Sequence, residues 1–202
     1  MQLYYAPGAC SLSPHIALRE AGLPFTLHKV ALPAKEIEGG GDYFAVNGKG
    51  YVPALKLDNG DVLTEGAVVV QYIADQAPDS HLAPKQGTFE RVRLQEWLNF
   101  IASEIHKPMG SMFNPKQTPE WRAWAETTLD KRLAWLEGKL AGHDYLTGEH
   151  FTVADGYLFN ILLWAGTVKF DLSKYPNLQA FQARVAARPK VQEAMRAEGL
   201  IQ

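Results

Sequence analysis

Apolar and polar residues alternate in short runs over the first eighty positions, each run closed by a turn signal. Gln2–Ala6 reads as a strand and Pro7-Gly8 as a turn. Ser13-Pro14 reads as the cap and first residue of a helix reaching about Ala21, closed by Gly22 and followed by Pro24. Phe25–Leu32 alternates as a second strand. Gly39-Gly40-Gly41 and Asn47-Gly48-Lys49-Gly50 mark loops around a short helix near Asp42–Val46. Ala54–Leu57 and Asp61–Leu63 flank Asp58-Asn59-Gly60, a hairpin signal. A helix follows from Glu65 to about Gln76, with Val68, Val69, Tyr72 and Ile73 on one side. The order β-α-β-α-β-β-α predicts an α/β thioredoxin-like domain over residues 1–80.

Beyond a polar link at about Ala77–Gly87, strand signals vanish and helical periodicity takes over. An all-α domain over residues 87–202 is expected. The charge changes with it: residues 1–80 carry 5 basic and 9 acidic side chains, residues 81–202 carry 15 and 13. In a helix from about Arg91 to Lys107, Leu94, Leu98, Ile101 and Ile105 fall within roughly 60° of one another as a core stripe. Asn99, Ser103 and His106 lie opposite, in a polar band that by itself fits a solvated face. Thr152-Val153-Ala154-Asp155 has capping-box spacing ahead of the apolar helix Gly156–Val168, so Asp155 is expected to serve the fold.

Composition narrows the function. The 202 residues are 47% hydrophobic with net charge −2, enough apolar content for a core and too little basic charge for nucleic acid or an anionic membrane. No apolar window approaches 18 residues, and Met1-Gln2-Leu3-Tyr4-Tyr5 lacks a secretory pattern, so a cytoplasmic protein without membrane partners is expected. One cysteine excludes an intramolecular disulfide and a Cys-based zinc site, and the six histidines contain no His-Glu-x-x-His pair; no metal and no resident cofactor are expected.

Cys10 is therefore the residue with chemistry to explain. A free cysteine often packs as a small hydrophobe. Here the strand–turn–helix pattern places the thiol at a helix N-terminus, where partial positive charge and unpaired N–H groups favour a thiolate. A second motif, Tyr51-Val52-Pro53-Ala54-Leu55, brings a proline into a strand. That fits an edge or turn, or a cis Val52–Pro53 bond exposing the Val52 backbone to an extended peptide ligand.

Together the motifs resemble the bacterial beta-class glutathione S-transferases. The resemblance rests on Tyr4–His15 around Cys10, on Asp42-Tyr43-Phe44-Ala45-Val46-Asn47, on Gly50-Tyr51-Val52-Pro53-Ala54-Leu55 and on Leu63-Thr64-Glu65-Gly66. It continues through Glu96–Ile101, Glu104-Ile105-His106-Lys107, Phe151–Asp155, Ala187-Arg188-Pro189 and Ala197-Glu198-Gly199-Leu200, covering essentially the whole chain.

The resemblance implies a glutathione S-transferase fold and a site for glutathione as co-substrate. Cys10 and His106 would be catalytic. Cys10 would lie by the glutathione sulfur, and Val52 would offer backbone N–H and C=O to the cysteinyl unit, with Pro53 holding that geometry. Glu65 and the N–H of Gly66 would take the γ-glutamyl amine and carboxylate, and Lys35 the glycyl carboxylate. Many relatives carry Ser where this chain has Gly66, which leaves only backbone donors there. Gly48 replaces a Pro common in the family, loosening that loop. Asn99, Ser103, Glu104, Ile105 and His106 would contact glutathione held mainly by a second subunit, which makes a homodimer necessary.

The implied activity is conjugation of glutathione to hydrophobic electrophiles, with thiol–disulfide exchange or peroxidase activity through Cys10. Backbone N–H groups at the helix N-terminus, Cys10 and His106 would hold the glutathione thiolate. Met112, Phe113 and Trp164 fit an acceptor pocket between the domains or simply core. Tyr4 and Tyr5 are similar to the catalytic tyrosine of other classes, but as strand residues they fit packing better. A glutathione-dependent dehalogenase or a non-enzymatic binding protein on the same fold are the alternatives. Lys35, Val52-Pro53, Glu65 and Cys10 weigh against the latter.

Overall fold

A five-stranded sheet in the order β3-β2-β1-β4-β5 organises the N-terminal part of the computed structural model, which describes residues 1–202. Its strands are β1 (Gln2–Tyr5), β2 (Thr26–Ala31), β3 (Glu36–Ile37), β4 (Ala54–Lys56) and β5 (Val62–Thr64). β2 runs parallel to β1, and β4 antiparallel to it, with Leu3 opposite both Leu27 and Leu55. The expected hairpin joins β4 to β5: Gly60, at φ +94, donates to the Leu57 carbonyl, and the Leu57 N–H donates to Asp61. β3 pairs with the end of β2, and its Glu36 also forms an isolated bridge to Asp42; at two residues it is too short for an alternating pattern to announce it.

The expected helices are present with shifted ends. α1 spans Leu12–Glu20, so Ser11 rather than Ser13 precedes it and Pro14 sits within its first turn. A proline is tolerated there because first-turn N–H groups have no intrahelical partner to lose. Gly22 ends α1 at φ +66, with Leu23 N–H on the Leu18 carbonyl and Gly22 N–H on that of Arg19. This is the αL stop that Gly22 predicts. The helix near Asp42–Val46 is a single 3-10 turn, Tyr43–Ala45, capped by Asp42. α2 spans Gly66–Gln76.

The chain divides into two compact units, Met1–Ala83 with Arg188–Gln202, and Pro84–Ala187. The first boundary falls within the link read from sequence. The second differs from the expected 87–202 domain, because the last fifteen residues return to the first unit. There α8 (Pro189–Ala197) lies against α1. Arg188 pairs with Glu20 at 2.7 Å, and His15 Nδ1 lies 2.8 Å from Glu198 Oε1, both side chains wholly buried.

The second unit is helical: α3 (Phe89–Phe100), α4 (Lys107–Ser111), α5 (Pro119–Leu140), α6 (Val153–Val168) and α7 (Pro176–Ala186). Leu94, Leu98, Ile101 and Ile105 are buried as the stripe predicted, alongside Leu129, Leu133, Leu158, Phe159 and Phe181. Each large apolar side chain so buried stabilises the unit by about 1.5–3 kcal/mol. α6 is buried on nearly every side, and its start is secured as its capping box predicts. Asp155 accepts from Thr152 N–H, Thr152 Oγ1 and Leu146 N–H, each at 2.8 Å. Burial outweighs those bonds and lifts the Asp155 carboxyl to about 6. No helix is long and apolar enough to cross a membrane.

Candidate active site

Cys10 is partly exposed on the turn between β1 and α1. Its base is tied by Ser11, whose hydroxyl accepts from Ala6 N–H at 3.1 Å and donates to the Ala6 carbonyl at 3.3 Å. Gly8 N–H in the same turn donates to Glu198 Oε2 at 2.9 Å. The first N–H groups of α1 are less available than its sequence suggests. Leu12 donates to Ala9, Ser13 donates to Cys10, and Pro14 has no N–H. The helix dipole remains, but the unpaired donors expected beside the thiol are already used.

The thiol instead points across to the second motif. Cys10 Sγ donates to the Val52 carbonyl at 3.1 Å, a bond only the protonated sulfur makes. The Val52–Pro53 peptide is cis, and both residues are buried. The two motifs, 42 residues apart in sequence, thus form one locus.

Two charged residues flank it. Lys35, at φ +59, sends Nζ 2.7 Å to the Gly50 carbonyl and lies 5.7 Å from the Tyr51 ring centroid. Glu65, at φ +68, immediately precedes α2 with its carboxylate exposed and ion-paired to Lys49. Lys49 Nζ also donates to Thr64 Oγ1 at 3.0 Å. Val68 and Val69 N–H groups bond to the Glu65 carbonyl, leaving those of Gly66 and Ala67 ahead of the helical ladder. A helix N-terminus of this kind accepts a carboxylate readily. A Cβ on Gly66 would sit 3.9 Å from Pro53 Cγ, an ordinary contact, so Gly66 borders the Val52–Pro53 step.

The residues expected along the Arg91–Lys107 helix separate from one another. The helix is not uniform: Ile101–His106 is π-helical. Its i→i+5 turns shift the phase of the residues downstream relative to a 3.6-residue repeat. Asn99 and Ser103 remain exposed, with Ser103 Oγ donating to the Asn99 carbonyl at 2.9 Å. Glu104 is engaged by Arg132 Nε at 2.7 Å. Ile105 is fully buried, so its side chain belongs to the core.

His106 leaves the exposed band for a partly buried place. Its Nδ1 lies 2.6 Å from the Tyr157 hydroxyl, and its ring meets Trp164 edge-on at 5.0 Å between centroids. Burial, with Lys107 adding to it, holds the imidazole down to about 4. At neutral pH it is uncharged, which removes the option of a cationic partner for a thiolate. Phe113 packs edge-on against Trp164 at 5.4 Å and stays exposed, whereas Met112 is buried. Tyr5 is buried and its hydroxyl is raised in pKa by burial, in keeping with packing.

Sequence reasoning passed over Glu198, Tyr157, Arg132 and the loop residues Tyr43, Asn47 and Lys49. Of these only Asn47 carried a signal, since an asparagine opening a glycine-rich loop often bonds to its own backbone.

Comparison with known proteins gives the family. The glutathione S-transferase N-terminal domain family matches residues 8–76, and the C-terminal domain family matches residues 100–189. Glutathione S-transferase GstA of Escherichia coli O157:H7 is 46% identical over 200 residues, covering 99% of this chain and 100% of that protein. A sphingomonad glutathione S-transferase solved in complex with glutathione superposes with TM-score 0.95 at 46% identity, covering 100% of both chains. The beta-class glutathione S-transferase of Sphingomonas chungbukensis does so with TM-score 0.96 at 47% identity, again over 100% of both. With both domain families in order and a thiol beside the cis-proline step, the chain belongs to the glutathione S-transferase family, resembles its bacterial beta class throughout, and is a glutathione transferase.

Proposed function

We propose that the enzyme binds glutathione along Val52–Pro53 and joins its sulfur to hydrophobic electrophiles. The observation that carries this is the Cys10 Sγ–Val52 carbonyl contact of 3.1 Å, with Lys35 bonded to the Gly50 carbonyl just ahead of Val52 and Gly66, the first residue of α2, bordering Pro53. An extended tripeptide with a carboxylate at each end fits that spread of charge. Val52 takes the cysteinyl main chain beside Pro53. Lys35 faces the glycyl carboxylate. Glu65 takes the γ-glutamyl ammonium, exchanging it for Lys49, and the Gly66 N–H takes the neighbouring carboxylate. In conjugation the glutathione sulfur forms a bond to the electrophilic carbon, and the leaving group departs with the bonding pair.

Cys10 adds a second chemistry. Its thiolate can attack the glutathionyl sulfur of a mixed disulfide between glutathione and another thiol, forming the Cys10–glutathione disulfide as the other thiolate departs; a glutathione thiolate then attacks that glutathionyl sulfur, forming oxidised glutathione and restoring the Cys10 thiolate. The exposed Asn99 and Ser103, with Glu104 and the main chain at Ile105, are assigned to glutathione on a partner subunit. His106 is assigned to the electrophile side through its neutral ring. That assignment requires a symmetric homodimer. A lone thiol of this kind suits the reducing cytoplasm.

Calorimetric titration with glutathione, together with conjugation to an activated aryl chloride, tests the reading. Saturable binding and thioether formation are the expected results. No saturation at millimolar glutathione would overturn it, and a monomeric mass by light scattering with full activity would overturn the shared site.

A further inference from the structure

The carbonyl of Tyr51 is held more firmly than any role of Tyr51 itself requires. The Tyr51 side chain is 71% exposed, yet its carbonyl accepts two side-chain hydrogen bonds from the interior. Tyr43 Oη donates to it at 2.8 Å and Asn47 Nδ2 at 2.7 Å. Both donors are buried, Tyr43 completely and Asn47 at 5% exposure. Asn47 is fixed in turn: its Oδ1 accepts from Lys49 N–H at 3.1 Å, its N–H donates to the Tyr43 carbonyl, and its carbonyl accepts from Gly50.

The geometry of one peptide unit links this to the thiol site. The Tyr51–Val52 peptide is planar and trans, so fixing its C=O fixes the Val52 N–H on the opposite edge, pointing away. Donation to the carbonyl also polarises the unit and makes that N–H a stronger donor. On its other side Val52 is set by Cys10, whose Sγ meets the Val52 carbonyl. The Val52 carbonyl is thus met directly by the Cys10 thiol, and its N–H is oriented through the Tyr51 carbonyl on the same peptide unit.

We propose that Tyr43 and Asn47 are positioning residues for the glutathione site, aiming the Val52 N–H at the cysteinyl unit through their joint hold on the Tyr51 carbonyl. The proposal rests on the reading that Val52 pairs with glutathione. Neither residue touches the reacting atoms, so loss of either weakens glutathione binding and leaves the chemical step intact. Because both act through one oxygen, their effects are coupled.

The test uses Tyr43→Phe, which removes one buried oxygen and keeps the ring, and Asn47→Asp, which keeps the acceptor for Lys49 N–H and removes the donor to Tyr51. Each is expected to raise KM for glutathione about five- to tenfold, the loss of one hydrogen bond, with kcat within about twofold. The double variant should fall short of the product of the two. The Val52 amide resonance should move in each free variant and, in the unmodified enzyme, move again on addition of glutathione. If glutathione leaves the Val52 amide of the unmodified enzyme unmoved, the pairing itself fails and the proposal with it. If that amide responds to glutathione but Tyr43→Phe keeps the original KM, the pairing stands and the positioning role is overturned. A fall in kcat at constant KM overturns it as well. Should Asn47→Asp not fold, the Tyr43→Phe result decides alone.

Discussion

His15 Nδ1 and Glu198 Oε1 lie 2.8 Å apart although 183 residues separate them, and both side chains are wholly shielded from water. The same carboxylate reaches Gly8 N–H in the Cys10 turn, and Arg19 Nε donates to the other ring nitrogen of His15 at 3.0 Å. The C-terminal segment is therefore an internal strut of the N-terminal unit and one of the supports of the thiol loop. Glu198→Ala strips partners from a buried imidazole and a backbone N–H at once. It should cost about 3 kcal/mol and lower Tm by roughly 6–12 °C, read by thermal unfolding. Glu198→Gln, which keeps one acceptor, should lose less. An unchanged Tm in Glu198→Ala would show that the strut bears no load.

Gly66 offers a direct test of the γ-glutamyl assignment. Its φ lies in the ordinary range and a Cβ there meets only Pro53 Cγ at 3.9 Å, so Gly66→Ser should fold without strain. The hydroxyl adds one donor beside the α2 N-terminus. If the γ-glutamyl carboxylate sits there, KM for glutathione should fall about fivefold, the value of one added hydrogen bond. A rise in KM, or none, places that carboxylate elsewhere.

Cys10→Ala should separate two activities. Incubation with oxidised glutathione should add one glutathionyl mass per chain to the unmodified enzyme and none to the variant, by intact mass. Disulfide reductase activity should be largely lost, since the mixed disulfide cannot form. Conjugation should persist in part, because the sulfur that attacks the electrophile is glutathione's own. Full reductase activity in the variant would reduce Cys10 to packing.

His106 makes a pH-dependent prediction. Its folded imidazole titrates at about 4 against an ordinary value of 6.5, with burial as the main cause. Above pH 6.5 both the folded and the unfolded chain are neutral at this residue. As pH falls from 6.5 to 4, the unfolded chain takes up a proton that the folded chain refuses, and stability is lost. The loss amounts to about 3 kcal/mol over that window. Denaturant unfolding across roughly pH 4–7 should show it, and His106→Asn, which cannot titrate, should flatten that component. An identical pH slope in the variant would mean that the ring is hydrated and free to charge.

Much of this protein was legible in local pattern. The strands β1, β2, β4 and β5, the Gly22 helix stop, the Asn59-Gly60 hairpin, the Leu94–Ile105 stripe and the Thr152–Asp155 cap each arise from residues within a few positions of one another. Such features are set by backbone sterics and near-neighbour hydrogen bonds, and the sequence alone determined them. The pairing of Cys10 with the Val52–Pro53 step came from resemblance, and in the fold the thiol and the Val52 carbonyl meet at 3.1 Å.

What only the tertiary structure decided depends on distant or non-periodic geometry. The return of Arg188–Gln202 to the first unit rests on His15–Glu198 and Arg188–Glu20, contacts between residues that no local rule links. The π-helical turn at Ile101–His106 moved His106 from an expected exposed band to a partly buried place against Tyr157, and a 3.6-residue wheel cannot foresee a change of pitch. The Tyr51 carbonyl gained its two buried donors because the chain folds back on itself between Tyr43 and Tyr51, which places main-chain atoms where no side-chain pattern records them. Residue types marked where the chemistry would be; its donors and acceptors were aimed by long-range packing.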